Sequence, residues 1–268
     1  MTTTRELRDR TEPITMLTAY DAHTASVIDD CGIDILLVGD SMGTEALGYD
    51  STLPVTVDDV ERRTAAVARG SDDALVVADM PFLSVGVDEA ETVRNAGRML
   101  KDAGADAVKL ESGPHTVELT ERLTQLGIPV MAHLGLTPQH VNQLGGYTRQ
   151  GTTEAAAEEI LSLARAHEDA GAFALVVEHV PANVAAQVTE ALDIPTIGIG
   201  AGGDCDGQVL VVSDVLGLSE NAPPFAEQFG DVQTAMTDAI KEYKAAVEAD
   251  SFPADEHSHI EDGLDDLG

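Results

Sequence analysis

Eight short apolar runs punctuate the chain, and most of them end in, or carry, a polar residue that apolar packing does not require. Six read Ile35-Leu-Leu-Val-Gly-Asp40, Ala74-Leu-Val-Val-Ala-Asp79, Ala107-Val-Lys-Leu-Glu111, Pro129-Val-Met-Ala-His133, Ala174-Leu-Val-Val-Glu178 and Val209-Leu-Val-Val-Ser-Asp214. Residues 14–19 open the series and residues 195–200 precede its last member. Short apolar runs alternating with helical segments are the pattern of buried parallel strands. Between them, residues 88–103 place Ala90, Val93, Ala96 and Leu100 near helical period, with Asp88 as N-cap and Gly104 past the end. Residues 153–170 repeat this between Thr153 and Gly171, and 21–30, 57–69, 115–126 and 182–192 are shorter helices. A glycine followed by a strand start recurs at Gly32, Gly104, Gly127 and Gly171, the helix-stop-strand order of βαβ units.

This alternation predicts an α/β fold, a closed (β/α)8 barrel in one domain over residues 1–249 that ends in a helix at 231–249. Residues 250–268 are expected to form an acidic, flexible tail. One link is short. Residues 201–208 alone separate the last two runs, whereas parallel crossovers usually need a dozen residues or more. Either that crossover is irregular or one run is not a strand. In a barrel all strand C-termini emerge at one mouth, where the chemistry of such folds resides. Two long loops, 41–56 and 135–152, would cover that mouth.

Net charge changes the picture of the surface. It is −33, and the chain has only four lysines, Lys101, Lys109, Lys241 and Lys244. Such a surface repels nucleic acid and anionic membranes. The acids are spread through the chain, at 29–30, 58–61, 72–73, 154–159 and 255–266, a pattern read as adaptation to high salt. Cys31 and Cys205 have no metal-like or disulfide-like spacing, and no apolar stretch is long enough for a membrane span, so a reduced cytoplasmic protein with small-molecule substrates is expected.

The polar residues on the runs are the candidate chemistry. Asp40 and Asp79 taken singly suit N-caps or turns as well as metal ligands. With Glu111 they make three carboxylates at one mouth, and hard oxygen donors at that density suit Mg2+. Lys109 and Glu111 are two apart on one strand and share a face, so both point into the barrel if Val108 and Leu110 pack on helices. A buried Lys–Glu pair is the alternative reading. Glu178 is placed for a general base or for a rim salt bridge. His133 is either an additional active-site group or a hydrogen-bonded core histidine. Gly198-Ile-Gly-Ala-Gly-Gly203 matches a dinucleotide fingerprint, but no apolar-periodic helix follows it, so a tight turn is the better reading.

Several long segments carry a resemblance. Met16-Leu-Thr-Ala-Tyr-Asp21, Leu37-Val-Gly-Asp-Ser41, Asp50-Ser-Thr-Leu-Pro-Val-Thr56, Val108-Lys-Leu-Glu111, His133-Leu-Gly-Leu-Thr-Pro-Gln139, Gly145-Gly-Tyr147 and Ile197-Gly-Ile-Gly-Ala-Gly202 follow one another in the order of ketopantoate hydroxymethyltransferases. The chain resembles that family, in a haloarchaeal-like acidic version. The resemblance implies a barrel of the phosphoenolpyruvate/pyruvate superfamily. It also implies an enzyme of pantothenate and coenzyme A biosynthesis that moves a hydroxymethyl group from 5,10-methylenetetrahydrofolate, or a related pterin, to 3-methyl-2-oxobutanoate. It places one Mg2+ per subunit at Asp40, Asp79 and Glu111, the oxo acid at Asp40, Ser41, Asp79 and Lys109, and the base at Glu178. It implies a homo-oligomer, a decamer. Ala132 and Thr148-Arg149 depart from the family pattern, the second in a place that bears on the choice of pterin. The rival readings are a Schiff-base aldolase acting through Lys109, a lyase or mutase of the same superfamily, and a non-catalytic barrel.

Overall fold

The computed structural model describes residues 2–219 and 222–261. Its centre is a closed barrel of eight parallel strands: β1 (Ile14–Thr18), β2 (Ile35–Val38), β3 (Leu75–Asp79), β4 (Ala107–Glu111), β5 (Val130–Gly135), β6 (Ala174–Glu178), β7 (Thr196–Ile199) and β8 (Gly207–Leu210). Each strand pairs with the next, and β8 returns to β1 with Met16 opposite Val209. Period-two alternation sorts the strand residues. Met16, Leu37, Val77, Met131, Val176 and Ile197 belong to one buried cluster that fills the lumen. Ala132, Leu134, Leu175 and Val177 face the other way and pack with Ile160 and Ala164 of helix Glu154–Asp169 and Val188 of helix Ala182–Ala191. The same parity carries Asp79, Lys109, Glu111, His133 and Glu178 inward, beyond the apolar layer.

The helices start where side chains can hold their first N–H groups. Thr56 and Asp59 form a capping box for helix Val57–Arg69. Asp88 accepts from the Glu91 N–H at helix Glu89–Lys101, and Thr153 accepts from the Ala156 N–H at helix Glu154–Asp169. Gly32, Gly104, Gly127 and Gly171, the four helix stops, all have φ between 78° and 92°. This is the left-handed turn that ends a helix and that glycine adopts without a Cβ clash.

Aspartates tie the strand starts. Asp34 Oδ2 accepts from the Thr15 N–H (2.9 Å) and hydroxyl (2.8 Å). Asp106 Oδ2 accepts from the Val76 N–H (2.9 Å), and Asp206 Oδ2 from the Thr196 N–H (2.8 Å). Asp29, whose charge counts in sequence toward the acidic surface, accepts from Ser71 Oγ and the N–H groups of Asp72, Asp73 and Ala74. These carboxylates join neighbouring βα units at the end of the barrel away from the mouth.

The short crossover is real, and the count of eight strands holds. No helix lies between β7 and β8. The apolar run that begins at Val209 is not a strand to its end, however. β8 stops at Leu210 and helix Val212–Leu216 follows, so Asp214 lies on a helix and not at the mouth end of a strand. The fingerprint-like glycines form a turn. Gly200 has φ +60°, and a Cβ there would lie 2.7 Å from the Phe225 ring.

The described residues form two compact units, one holding residues up to 212 with 223–226, the other 213–219, 222 and 227–261. The second contains helix Val232–Glu248, as the sequence pattern predicts. On that helix Met236, Ile240, Tyr243 and Val247 are exposed at the spacing of a single stripe. Of the acidic tail, residues 262–268 lie outside the described residues. Among the described residues no helix is long and apolar enough to cross a membrane.

Candidate active site

The mouth ends of β2 to β6 carry a continuous polar band. Asp79 ends β3 and stands opposite Lys109 on β4. Lys109 Nζ donates to Asp79 Oδ1 at 2.5 Å, and the Asp40 N–H donates to Asp79 Oδ2 at 3.1 Å. Asp40 sits in the turn after β2, where a Cβ on Gly39 would lie 2.7 Å from Ser41 Oγ. Ser41 Oγ in turn lies 2.9 Å from the Tyr20 hydroxyl. Lys109 and Glu111 both point into the lumen, while Val108 and Leu110 are buried on the opposite face. The partner of Lys109 is Asp79, not Glu111.

Burial and charge act together here. Asp40, Asp79, Lys109 and Glu111 are all buried, and one cation faces three carboxylates. Burial, followed by the charges of Asp79 and Glu111, pushes the Asp40 carboxyl well up. Burial likewise pushes Glu111 up to about 7. For Lys109 burial opposes the charge, but Asp79 and Asp40 outweigh it and hold the ammonium form above its ordinary range. The cluster therefore holds more carboxyls than its lysine can neutralise, and it retains protons that a bound cation would displace.

The loop after β5 closes over this cluster. The Gln139 N–H donates to Glu111 Oε1 and Oε2, each at 3.1 Å. Its side-chain Nε2 donates to Asp40 Oδ2 (2.8 Å) and to the Met80 carbonyl (3.0 Å). At the other end of the loop the Gln150 N–H donates to the His179 carbonyl at 3.0 Å. Between these anchors stands Tyr147. Its hydroxyl is pushed up by partial burial and by the charges of Asp40, Glu111 and Glu178, so it lies within the field of all three.

His133 and Glu178 complete the band. His133 Nε2 is 3.0 Å from Glu178 Oε2, but neither ring nitrogen of this buried histidine has a hydrogen-bond partner among the described residues. The Glu178 side chain keeps 16% of its surface exposed, against 4% for Glu111, so Glu178 is the more accessible of the two carboxylates. Gly135 lets β5 pass close beside it. A Cβ there would lie 2.1 Å from the Glu178 carbonyl oxygen. Every site residue expected from the strand pattern is thus at the mouth. Gln139, Tyr20 and Tyr147 join them from loops, where no periodicity marks them.

The donors are hard oxygens, and three buried carboxyls share one lysine, which fits a divalent cation that would displace their protons. Among the described residues no three His, Cys, Asp or Glu side chains are grouped closely enough to form a full ligand set. The fit is therefore to an ion held by one or two carboxylates, with water and substrate oxygens completing its shell, as Mg2+ prefers.

Residues 1–255 match the model of the family described as ketopantoate hydroxymethyltransferase. The chain is 70% identical over 269 residues, covering 100% of both chains, to a protein of Haloarcula marismortui named 3-methyl-2-oxobutanoate hydroxymethyltransferase. It is 67% identical to one of the same name from Natronomonas pharaonis, covering 96% of this chain and 95% of that one. Among solved structures its fold is similar to 2,3-dimethylmalate lyase, a member of the PEP mutase/isocitrate lyase superfamily, with a TM-score of 0.59 and 18% identity over 97% of this chain and 89% of the other.

Proposed function

The chain belongs to the ketopantoate hydroxymethyltransferase family, and we propose that it transfers a hydroxymethyl group to 3-methyl-2-oxobutanoate to form ketopantoate. The donor in this reading is 5,10-methylenetetrahydrofolate or a related pterin. The observation that carries it is the buried Asp40–Asp79–Lys109–Glu111 cluster beside an accessible carboxylate, Glu178.

An α-oxo acid presents a carboxylate and a keto oxygen, and its C3–H is acidified by the ketone. Lys109, held as an ammonium by Asp79, supplies positive charge to the oxygen that gains charge when C3 ionises. Glu178 takes the C3 proton, and the released electron pair forms the enolate. One carbon–nitrogen bond of the donor's methylene bridge opens, the enolate carbon bonds to that methylene carbon, and water replaces the second nitrogen to leave the hydroxymethyl group, while the proton held by Glu178 and one from water go to the two nitrogens of the departing reduced pterin. Ser41, carried next to Asp40 and held by Tyr20, donates to the oxo acid. Asp40 and Asp79 would hold Mg2+, one per subunit, with Glu111 beside it beyond a water, and the chemistry it would supply is that of a Lewis acid toward the oxo acid's oxygens. His133, whose Nε2 is 3.0 Å from Glu178 Oε2, is the additional active-site group beside that carboxylate.

An imine at Lys109 is disfavoured by the same geometry, because imine formation needs a neutral amine and Asp79 and Asp40 keep this one charged. Membership of pantothenate and coenzyme A biosynthesis, a cytoplasmic location, adaptation to high salt and assembly into a decamer belong to the same proposal. The spread of acidic residues supports the salt adaptation, and the exposed stripe on helix Val232–Glu248 supports self-association.

The test is proton–deuteron exchange at C3 of 3-methyl-2-oxobutanoate, followed by NMR in high salt. The native chain should exchange C3 in a manner dependent on divalent cation. Glu178→Gln should lower that rate about 10²-fold or more while still binding the oxo acid. Exchange at the native rate in the variant would remove Glu178 from the role of base.

A further inference from the structure

The polar band spans β2 to β6, and the mouth over β6 to β8 is built differently. There a cleft of about 460 Å3 opens between the segments that follow β6 and β7. Arg149, Phe225, Gly200, Gly202, Pro181 and Gln208 line it. It contains none of the carboxylates of the polar band, yet it adjoins them, since Pro181 lies three residues beyond Glu178. The volume suits a small organic molecule. A second cleft of the same size lies between helices Glu154–Asp169 and Ala182–Ala191, but it is lined by Glu154 and Glu158 and by no site residue.

The cleft beside Glu178 is fixed on three sides. The Phe225 ring rests on Gly200, where a Cβ would lie 2.7 Å from it, and meets the His179 ring at 5.4 Å. Gly202 packs so near Ala182 that a Cβ would lie 2.4 Å from the Ala182 Cβ. Glycines at 200 and 202 thus let the Phe225 ring and Ala182 pack against the backbone, which fixes both in the wall of the cleft. Arg149 stands next to Gln150, whose N–H is tied to the His179 carbonyl. No ion pair or hydrogen bond engages the Arg149 side chain among the described residues. In a chain of net charge −33, the one charged side chain that lines this cleft is a cation.

We propose that this cleft is the binding site of the one-carbon donor, taking a planar heteroaromatic ring against Phe225 and an anionic tail on Arg149. This rests on the reading of the chain as a hydroxymethyltransferase and assigns its second substrate to a place. The oxo acid occupies the β2–β4 side, the donor approaches over β6–β8, and Glu178 lies between them. Stacking on an aromatic ring and a forked cation for carboxylate are complementary to a reduced pterin with a glutamate tail.

The test uses the full chain in high salt with two probes, tetrahydrofolate and a tetrahydropterin without the glutamate tail. Both are titrated by fluorescence against native protein, Arg149→Gln, Arg149→Lys and Phe225→Ala. Arg149→Gln should weaken tetrahydrofolate about tenfold, the order expected for one charge-assisted hydrogen bond, with partial rescue by Arg149→Lys. The tailless probe should be indifferent to Arg149 and weakened by Phe225→Ala. In turnover, the ratio of donor KM to oxo-acid KM should rise by the same factor in Arg149→Gln. Equal binding of tetrahydrofolate by native and Arg149→Gln protein, or equal weakening of both probes by that variant, would overturn the assignment of the cleft. If the native chain exchanges C3 of the oxo acid in either case, only this inference falls. Absence of exchange in the native chain would overturn the hydroxymethyltransferase reading and this one with it.

Discussion

Glu111→Gln should make the cation-free protein more stable above pH 7, although it removes a residue of the site. Glu111 is buried, and burial raises its carboxyl from the ordinary 4.5 to about 7. In the unfolded chain the same group ionises near 4.5. Between these values the folded state keeps a proton that the unfolded state has lost, so stability falls as pH rises through the window and the full cost is present above 7. At about 1.4 kcal/mol per pKa unit the displacement corresponds to about 3 kcal/mol, an upper figure because the group interacts with its neighbours. An amide of the same shape carries no such cost and still accepts from the Gln139 N–H. His167 acts with the opposite sign. Burial lowers it to about 4, so its contribution is present above 6.5 and is lost as pH falls toward 4. In the native chain the two groups oppose each other over the acid range, and in Glu111→Gln the effect of His167 stands alone. The assay is urea unfolding in high salt with EDTA at pH 4.5, 6 and 8. The variant should gain most at pH 8, and the gain should fall away toward pH 4.5. Destabilisation of the variant at pH 8 would refute the argument, since it would show that the Glu111 charge is compensated in the folded state.

Gly135→Ala should displace the end of β6, because a Cβ there would lie 2.1 Å from the Glu178 carbonyl oxygen. C3 exchange should drop at least about tenfold, and oxo-acid affinity, which depends on the other side of the mouth, should change less; isothermal titration with the oxo acid separates the two. Gln139→Ala removes the donor to Asp40 Oδ2 and to the Met80 carbonyl. One of these bonds is charge-assisted, so a stability loss of about 2 kcal/mol is expected in denaturant titration, together with faster proteolysis of the loop that contains Tyr147.

The barrel was legible because its strands from β2 to β6 are buried on both faces and its helices begin and end on strong local signals, such as Thr153 with Gly171 and Asp88 with Gly104. The site was legible for a related reason. A lysine at 109 and acids at 79, 111 and 178 break apolar runs at positions whose parity points inward. What the sequence hid depends on contacts between distant segments. Gln139 meets Asp40 across 99 positions, and nothing in the local pattern of its loop marks it. The acids at 29, 34, 106 and 206 merge in composition with a general excess, yet they hold backbone N–H groups of adjoining strands. Residues 209–214 continue in β-branched residues past the point where β8 stops. The run could not show its own end, because a helix following directly on a strand leaves no glycine or proline between them.

The pairing that closes the barrel also orders its assembly in time. β1 is synthesised first and finds its second neighbour only when β8 exists, and the hydrogen bond from the Val212 N–H to Thr18 Oγ1 spans 194 positions. Until then β1 and the last completed strand are open edges, each offering unpaired backbone groups to any other strand. Contacts of such range make folding slow, and slow folding with exposed edges favours aggregation. Mutual repulsion between growing chains, each already strongly acidic, opposes that encounter, so the same charge that keeps the finished molecule dissolved also protects the unfinished one during synthesis.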